Sequence, residues 1–302
     1  MSDMARAKGL PTTWLLRLGG AVGGLVVLAL GLRLVGANRW AEWIRSQTSK
    51  LEAGRLDVQG RLPSPTRFDA RELEGLPPPV QRYFRAVLTD GQPIIGAASI
   101  EMAGSINMSA TAEQWKTFTS HQRVVTRRPG FLWDAQVAMF PGAPARVVDS
   151  YVAGEGRLIA KLLGLVTVVD AHGGGELARG EFMRFFAEAA WYPTALLPSQ
   201  GVRWQAAGDA SANATIVDGP ITLTLLFRFN ESGLIDSVRA ESRGAGVGRD
   251  MVMLPWDCAC SNYQRQDGML IPMTGEAAWV RSEGRKAYFV GNVRKLSYEF
   301  VP

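Results

Sequence analysis

Three carboxylates sit where strand-like and helix-like patterns meet: Asp134, Asp149 and Glu188. Asp134 and Asp149 occupy neighbouring strand candidates, and Glu188 lies on a helix that follows them. Two carboxylates at a fixed separation are what glycoside hydrolysis requires, so the three are candidate acid and base groups. They equally suit charge pairing with Arg128, Arg146 or Arg184. A second constellation is aromatic. Trp133, Trp191, Tyr192, Trp204 and Trp256 suit the wall of a concave apolar pocket with a few polar groups at its mouth. Tyr151 and Phe185 join them as candidate ligand contacts. The same rings also suit an ordinary core, and both readings stay open.

Other chemistry is thinly supplied. His121 and His172 are the only histidines, which excludes a metal site built from three of them. Asp170, His172 and Glu176 surround Gly173-Gly174-Gly175 and read as a solvated loop. That triplet lacks the Lys-Ser/Thr ending of a phosphate-binding loop. No Gly-x-Ser-x-Gly nucleophile elbow is present. Cys258 and Cys260, the only cysteines, are too close for an ordinary structural disulfide, and no second pair completes a zinc site. On a strand both thiols fall on one face and read as packing. No metal and no cofactor is expected. The net charge of +5 and pI near 9.4 come from dispersed arginines, with no basic run longer than Arg127-Arg128, so no nucleic-acid partner is expected.

The elements that must position these groups are mostly strands. Ile100, Met102, Ile106 and Met108 alternate with Glu101, Ser105 and Asn107. Phe131, Trp133, Val137 and Met139 oppose Asp134 and Gln136, and Ile221, Leu223, Leu225, Phe227 and Phe229 repeat the pattern. A period of two marks antiparallel strands with one covered face. Asp218-Gly219-Pro220, Glu231-Ser232-Gly233, Asp267-Gly268 and Glu283-Gly284 separate the runs as turns. A short helix is expected over Val80 to Leu88, entered through Pro77-Pro78-Pro79. A second helix runs from Glu181 to Ala190. Phe182, Phe185, Phe186 and Ala189 form its apolar stripe, Glu181 and Arg184 are spaced to pair, and Pro193 forces its end. Leu158 to Val169, nearly all apolar apart from Lys161, reads as a buried strand pair or as a lid that touches lipid.

The uncharged run from Leu18 to Leu32 is bracketed by Arg17 and Arg33. Counted from Trp14 to Val35 it reaches the roughly 20 residues a spanning helix needs, with both arginines snorkelling and Trp14 and Trp40 near the interfaces. It reads as an uncleaved membrane anchor. A cleaved signal peptide ending at Val35-Gly36-Ala37 and a core helix are the alternatives. Gly20 and Gly24 form a GxxxG that would let two helices pack, and the oligomeric state stays open. The expected layout is a tail and anchor over 1–37, a stalk over 38–75 and a β-rich domain over 76–302. The expected location is a bacterial inner membrane, crossed once, with the domain on the periplasmic side.

Several motifs occur in order from Leu76 onward. They are Leu76-Pro-Pro-Pro-Val-Gln-Arg-Tyr-Phe84, Gly130-Phe-Leu-Trp-Asp134, Asp149-Ser-Tyr-Val152 and Ala187-Glu-Ala-Ala-Trp-Tyr-Pro-Thr-Ala-Leu-Leu-Pro198. Gly268-Met-Leu-Ile-Pro272 follows, with Gly275-Glu276 and Trp279. Together they resemble an uncharacterised bacterial family, a domain of unknown function. Its layout is similar to that of lipoprotein carriers of the LolA and LolB kind. The resemblance implies an α+β, β-rich fold: a curved antiparallel sheet, a half-barrel-like meander, wrapped around a helix and preceded here by one transmembrane helix. It also implies an apolar, lipid-like ligand on the concave face. A carboxylate-dependent envelope hydrolase and a non-catalytic scaffold are the other expectations.

Overall fold

The computed structural model describes residues 12–58, 65–109, 112–140, 142–247 and 250–302, with no side-chain description at 12–26, 29, 55–58, 247 and 250. The chain opens with helix α1 (Thr12–Val58) and continues through α2 (Pro78–Val87). Six strands follow: β1 (Ile95–Asn107), β2 (Trp115–Val125), β3 (Gly130–Phe140), β4 (Ala143–Val152), β5 (Glu155–Leu162) and β6 (Val166–Gly173). Helix α3 (Gly175–Ala187) and three short 3-10 turns lead to β7 (Arg203–Gly208), β8 (Ser211–Asp218), β9 (Ile221–Phe229) and β10 (Ile235–Val247). The last strands are β11 (Asp250–Gln266), β12 (Met269–Arg281) and β13 (Gly284–Phe300).

Among the described residues these form one 13-stranded sheet in the order β6-β5-β4-β3-β2-β1-β13-β12-β11-β10-β9-β8-β7. Every pairing is antiparallel. Each wing is a meander, and α3 carries the chain from one outer edge to the other. The wings meet at β1 and β13, from Ile95 opposite Phe300 to Ile106 opposite Phe289. The fold is therefore β-rich α+β, as its alternating patterns require. Curvature lets α3 touch β4 and β5 on one wing and β9 and β10 on the other.

The stripe of α3 explains its place. Phe182, Phe185 and Phe186 are fully buried, and burying each such ring stabilises by about 1.5–3 kcal/mol. Tyr151 stacks on Phe182 with centroids 5.0 Å apart, and Phe186 meets Phe227 edge-on at 5.6 Å. The helix starts earlier than its stripe suggests. It gives way after Ala187 to a 3-10 turn over Glu188–Trp191, before Pro193.

The convex face has its own cover. Trp40, Leu51 and their half-buried neighbours Trp43 and Ile44 pack on Ala97, Val125, Leu132, Val148 and Ile159. The segment expected as a stalk is thus helical to Val58, and its Trp40–Leu51 stretch lies along the sheet. The run from Leu18 to Leu32 falls for the most part outside the residues whose side chains are described. Among the described residues no helix is long and apolar enough to cross a membrane. The apolar stretch from Leu158 to Val169 is the β5–β6 hairpin. Ile159 is buried and Leu158 half-buried, whereas Val166, Val168 and Val169 are exposed.

Candidate functional site

The strand register builds one side of the site. Gln122 on β2 stands opposite Trp133 on β3, which stands opposite Asp149 on β4. This row faces the concave side, and Arg184 descends on it from α3. Arg184 donates from Nη1 to Asp149 Oδ2 at 2.6 Å, from Nε to Glu188 Oε1 at 2.8 Å and from Nη2 to Gln122 Oε1 at 3.3 Å. Gln122 Nε2 closes the ring by donating to Glu188 Oε2 at 2.6 Å. The guanidinium carbon lies 4.9 Å from the ring centroids of both Phe131 and Trp133. Its two carboxylate partners raise the Arg184 pKa despite burial, so it stays cationic.

A second cation enters from the opposite wing. The β10–β11 pairing shifts register between Ala240 and Arg243, and such a bulge re-aims a side chain. Arg243, 7% exposed, lies 4.3 Å over Trp256 and 5.8 Å from Trp279. Its other contacts are long: 3.4 Å to the Tyr288 hydroxyl and 3.8 Å to Glu181 Oε1, with no partner at Nε. Tyr288 also accepts from Trp256 Nε1 at 2.9 Å.

Glu181 completes the cluster. Burial and then the neighbouring Asp149 push its pKa well up. Drawn as two anions, Glu181 Oε2 and Asp149 Oδ1 would both be buried without a donor. A proton on Glu181, the form its raised pKa favours, would give Oε2 a donor to offer. With Glu181 protonated the cluster would hold two cations and two anions, both anions gathered on Arg184.

Beside this cluster lies a cavity of about 150 Å³. Ile106, Trp133, Leu158, Trp256 and Phe289 supply apolar wall, and Asp149, Arg184, Glu188 and Arg243 a polar side. Cys258 and Cys260 line it from one face of β11 as free thiols. Burial is the first cause pushing both thiols up, Cys260 to about 12, which disfavours the nucleophilic thiolate.

Of the residues expected at a site, Trp133, Asp149, Glu188, Trp191 and Trp256 come together on the cavity wall. Trp191 is fixed there by donating from Nε1 to the Pro272 carbonyl at 2.8 Å. Tyr151, Phe185, Tyr192 and Trp204 belong to the packed interior instead. Tyr151 donates to Asp218 Oδ2 and Tyr192 to the Phe185 carbonyl, both at 2.6 Å. Trp204 packs on Phe84, Phe227 and Phe229. Asp134 points to the opposite face, where it accepts from Trp40 Nε1 at 2.9 Å. Desolvation there is the main cause of its raised pKa.

The three carboxylates therefore do not converge as an acid and base set. Strand alternation sends Asp134 away, and Arg184 holds the other two. Arg184 pairs with Glu188, four residues on, rather than with Glu181. Among the described residues no group of three or more His, Cys, Asp and Glu side chains is placed to hold a metal ion. Sequence reasoning missed Arg243, Gln122 and Tyr288. The signal for Arg243 was an arginine set among small residues within a strand, Arg243-Gly244-Ala245-Gly246.

Fold and site together define a curved-sheet protein with a small, mostly apolar cavity backed by a buried ion cluster. The chain belongs to the family of unknown function DUF6920, which matches residues 74–298. Among solved structures it is similar to a LolA superfamily protein from Nitrosomonas europaea. That likeness has 9% identity and a TM-score of 0.40, and covers 74% of this chain and 93% of that one. It is also similar to a beta-barrel-like protein of domain of unknown function DUF1849 from Brucella abortus. There the identity is 8% and the TM-score 0.25, with 68% of this chain and 98% of that one covered. No curated protein matches the chain.

Proposed function

We propose that this protein binds an amphiphile, lodging a short apolar portion in the concave cavity with a hydrogen-bonding end toward Arg243. The observation that carries this reading is a hollow with tryptophan and aliphatic walls beside an arginine that has an unpartnered Nε and only long polar contacts. Rings of Tyr151, Phe182, Phe185 and Tyr192 pack against one another in a row around α3 and leave that part of the interior filled. A dry apolar cavity of about 150 Å³ takes a molecule the size of benzene, so a larger lipid would insert only a ring or chain end. The uncharged run from Leu18 to Leu32 supports a membrane tether, and we take that membrane to be a bacterial inner membrane with the domain on its periplasmic side.

The test uses the full chain in nanodiscs of phosphatidylcholine and phosphatidylglycerol. Native mass spectrometry and solvent extraction should reveal a bound amphiphile. Adding a fatty acid should slow alkylation of Cys258 and Cys260. No adduct, together with unchanged alkylation across fatty acids and phospholipids, would overturn the reading.

A further inference from the structure

Antiparallel alternation sorts the turns into two ends. The β1–β2, β3–β4, β5–β6, β8–β9, β10–β11 and β12–β13 turns lie at one end of the sheet. The β2–β3, β4–β5, β7–β8, β9–β10 and β11–β12 turns lie at the other. Exposed large apolar side chains follow the first set. Met108 and Trp115 flank the β1–β2 turn. Phe140 (64% exposed), Val166 (63%) and Met251 (53%) stand at the β3–β4, β5–β6 and β10–β11 turns, with Val217 before the β8–β9 turn. At the opposite end the turns read Thr126-Arg127-Arg128-Pro129, Ala153-Gly154, Asp209-Ala210, Asn230-Glu231-Ser232-Gly233 and Asp267-Gly268. None of them carries an exposed large apolar side chain.

Helix α1 reports the same polarity. Gly54 lies against Arg128 at the polar end, and Gly36 lies against Leu163 and Leu165 at the apolar end. The α1 residues before Gly36 therefore lead away from the apolar end, with Val27, Leu28, Leu30, Leu32 and Leu34 exposed. Arg33 sits beside Gly142 in the β3–β4 turn, so the uncharged run stops level with the rim of the sheet. From Thr12 to Val35 a helix spans about 36 Å, close to the thickness of a bilayer core.

We propose that this apolar rim is a membrane-docking surface, and that its occupant is a lipid bilayer. The spacing of the rim argues against a protein partner. Its tips recur at every second strand, about 10 Å apart, as separate side chains rather than one continuous patch. A fluid surface accepts separated insertions, whereas a stable protein interface requires a contiguous one. Trp115, Phe140 and the methionines suit the interfacial zone. Lys116 and Lys161 lie close to these turns for anionic headgroups, among Glu113, Asp218 and Glu283. The docking surface stands on the rim alone and does not require the cavity to hold lipid.

The experiment places single cysteines in the full chain at Phe140→Cys, Val166→Cys, Met251→Cys and, as reference, Ser232→Cys. The background is Cys258→Ala with Cys260→Ala. Each is labelled with an environment-sensitive fluorophore and mixed with 3:1 phosphatidylcholine–phosphatidylglycerol vesicles (roughly the anionic content that attracts basic segments). The three rim labels should shift to shorter wavelength and lose at least half their emission to nitroxide-bearing lipid. The Ser232→Cys label should do neither. Rim labels that match the reference on vesicle-bound protein, or a chain that leaves vesicles unbound, would overturn the docking surface. The ligand reading would survive that result, because protection of Cys258 and Cys260, which line the cavity, from alkylation reports on the cavity and not on the rim.

Discussion

Arg184 concentrates the electrostatics of the interior. It neutralises two carboxylates from two elements and caps two aromatic faces, at 13% side-chain exposure. Removing one partner of a buried pair costs about 3–5 kcal/mol, because the remaining charge is stranded. Arg184→Met should therefore lower Tm sharply. The triple change Arg184→Met, Asp149→Asn, Glu188→Gln should regain most of that loss, and thermal denaturation of both reads the difference. An equal loss in the triple variant would mean that Arg184 acts by packing alone. Glu181 sets a pH dependence of a definite sign. Its folded pKa lies above the ordinary value of 4.5, so the folded state holds the proton more tightly. Stability is fully present below 4.5, declines as pH rises from there through the folded value, and is level beyond it. Glu181→Gln should flatten that decline in a Tm-against-pH series. Asp134, also raised, leaves a residual slope of the same sign. Identical slopes in the variant and the parent would refute the neutral-acid assignment.

At the scale of elements, two close approaches hold the helix and its 3-10 extension to the sheet. A Cβ at Gly156 on β5 would stand 2.8 Å from the backbone of Ala178 on α3, and one at Gly275 would stand 2.8 Å from the Trp191 ring. Gly156→Ala should destabilise by about 1–3 kcal/mol, since backbone cannot step aside as a side chain can. Gly174→Ala, with open space around it, is the reference and should cost little in denaturant unfolding. Equal effects would mean that α3 rides loosely over β5. The strands were legible because one covered face imposes a period of two, clearest in β9. The same period should have barred naming both Trp133 and Asp134 as contacts, because adjacent strand residues face opposite sides. The small residues around Arg243 marked it as unusual, but where it points was not legible, because a bulge decides that and the side-chain period alone does not. The cover provided by α1 was written in the spacing of Trp40, Trp43, Ile44 and Leu51. It was masked by the charged residues between them, which suit a free stalk as well as the outer face of a docked helix.

For the whole molecule, the decisive pairing is the one between β1 and β13, where two meanders become one sheet. Native-state hydrogen exchange should find the amides of these two strands slowest and those of the outer strands β6 and β7 fastest, since opening the seam breaks the sheet's long-range order. Edge strands as protected as the seam would show that the wings do not open independently. The rim and the start of α1 share one end, so a tether and a lipid contact would address the same surface. The seam also has a consequence for how the chain is made. Its two strands lie far apart in sequence, and at about 5–20 residues per second the stretch from Asn107 to Gly284 takes roughly 10–35 s to synthesise. Throughout that interval β1 presents an unpaired edge carrying Ile100, Met102 and Ile106, the kind of template on which chains aggregate. A ribosome that stalls before Gly284 would leave the first wing with an edge that no other described strand is placed to cover, so nascent copies of this protein should depend heavily on holding chaperones until the final strand arrives.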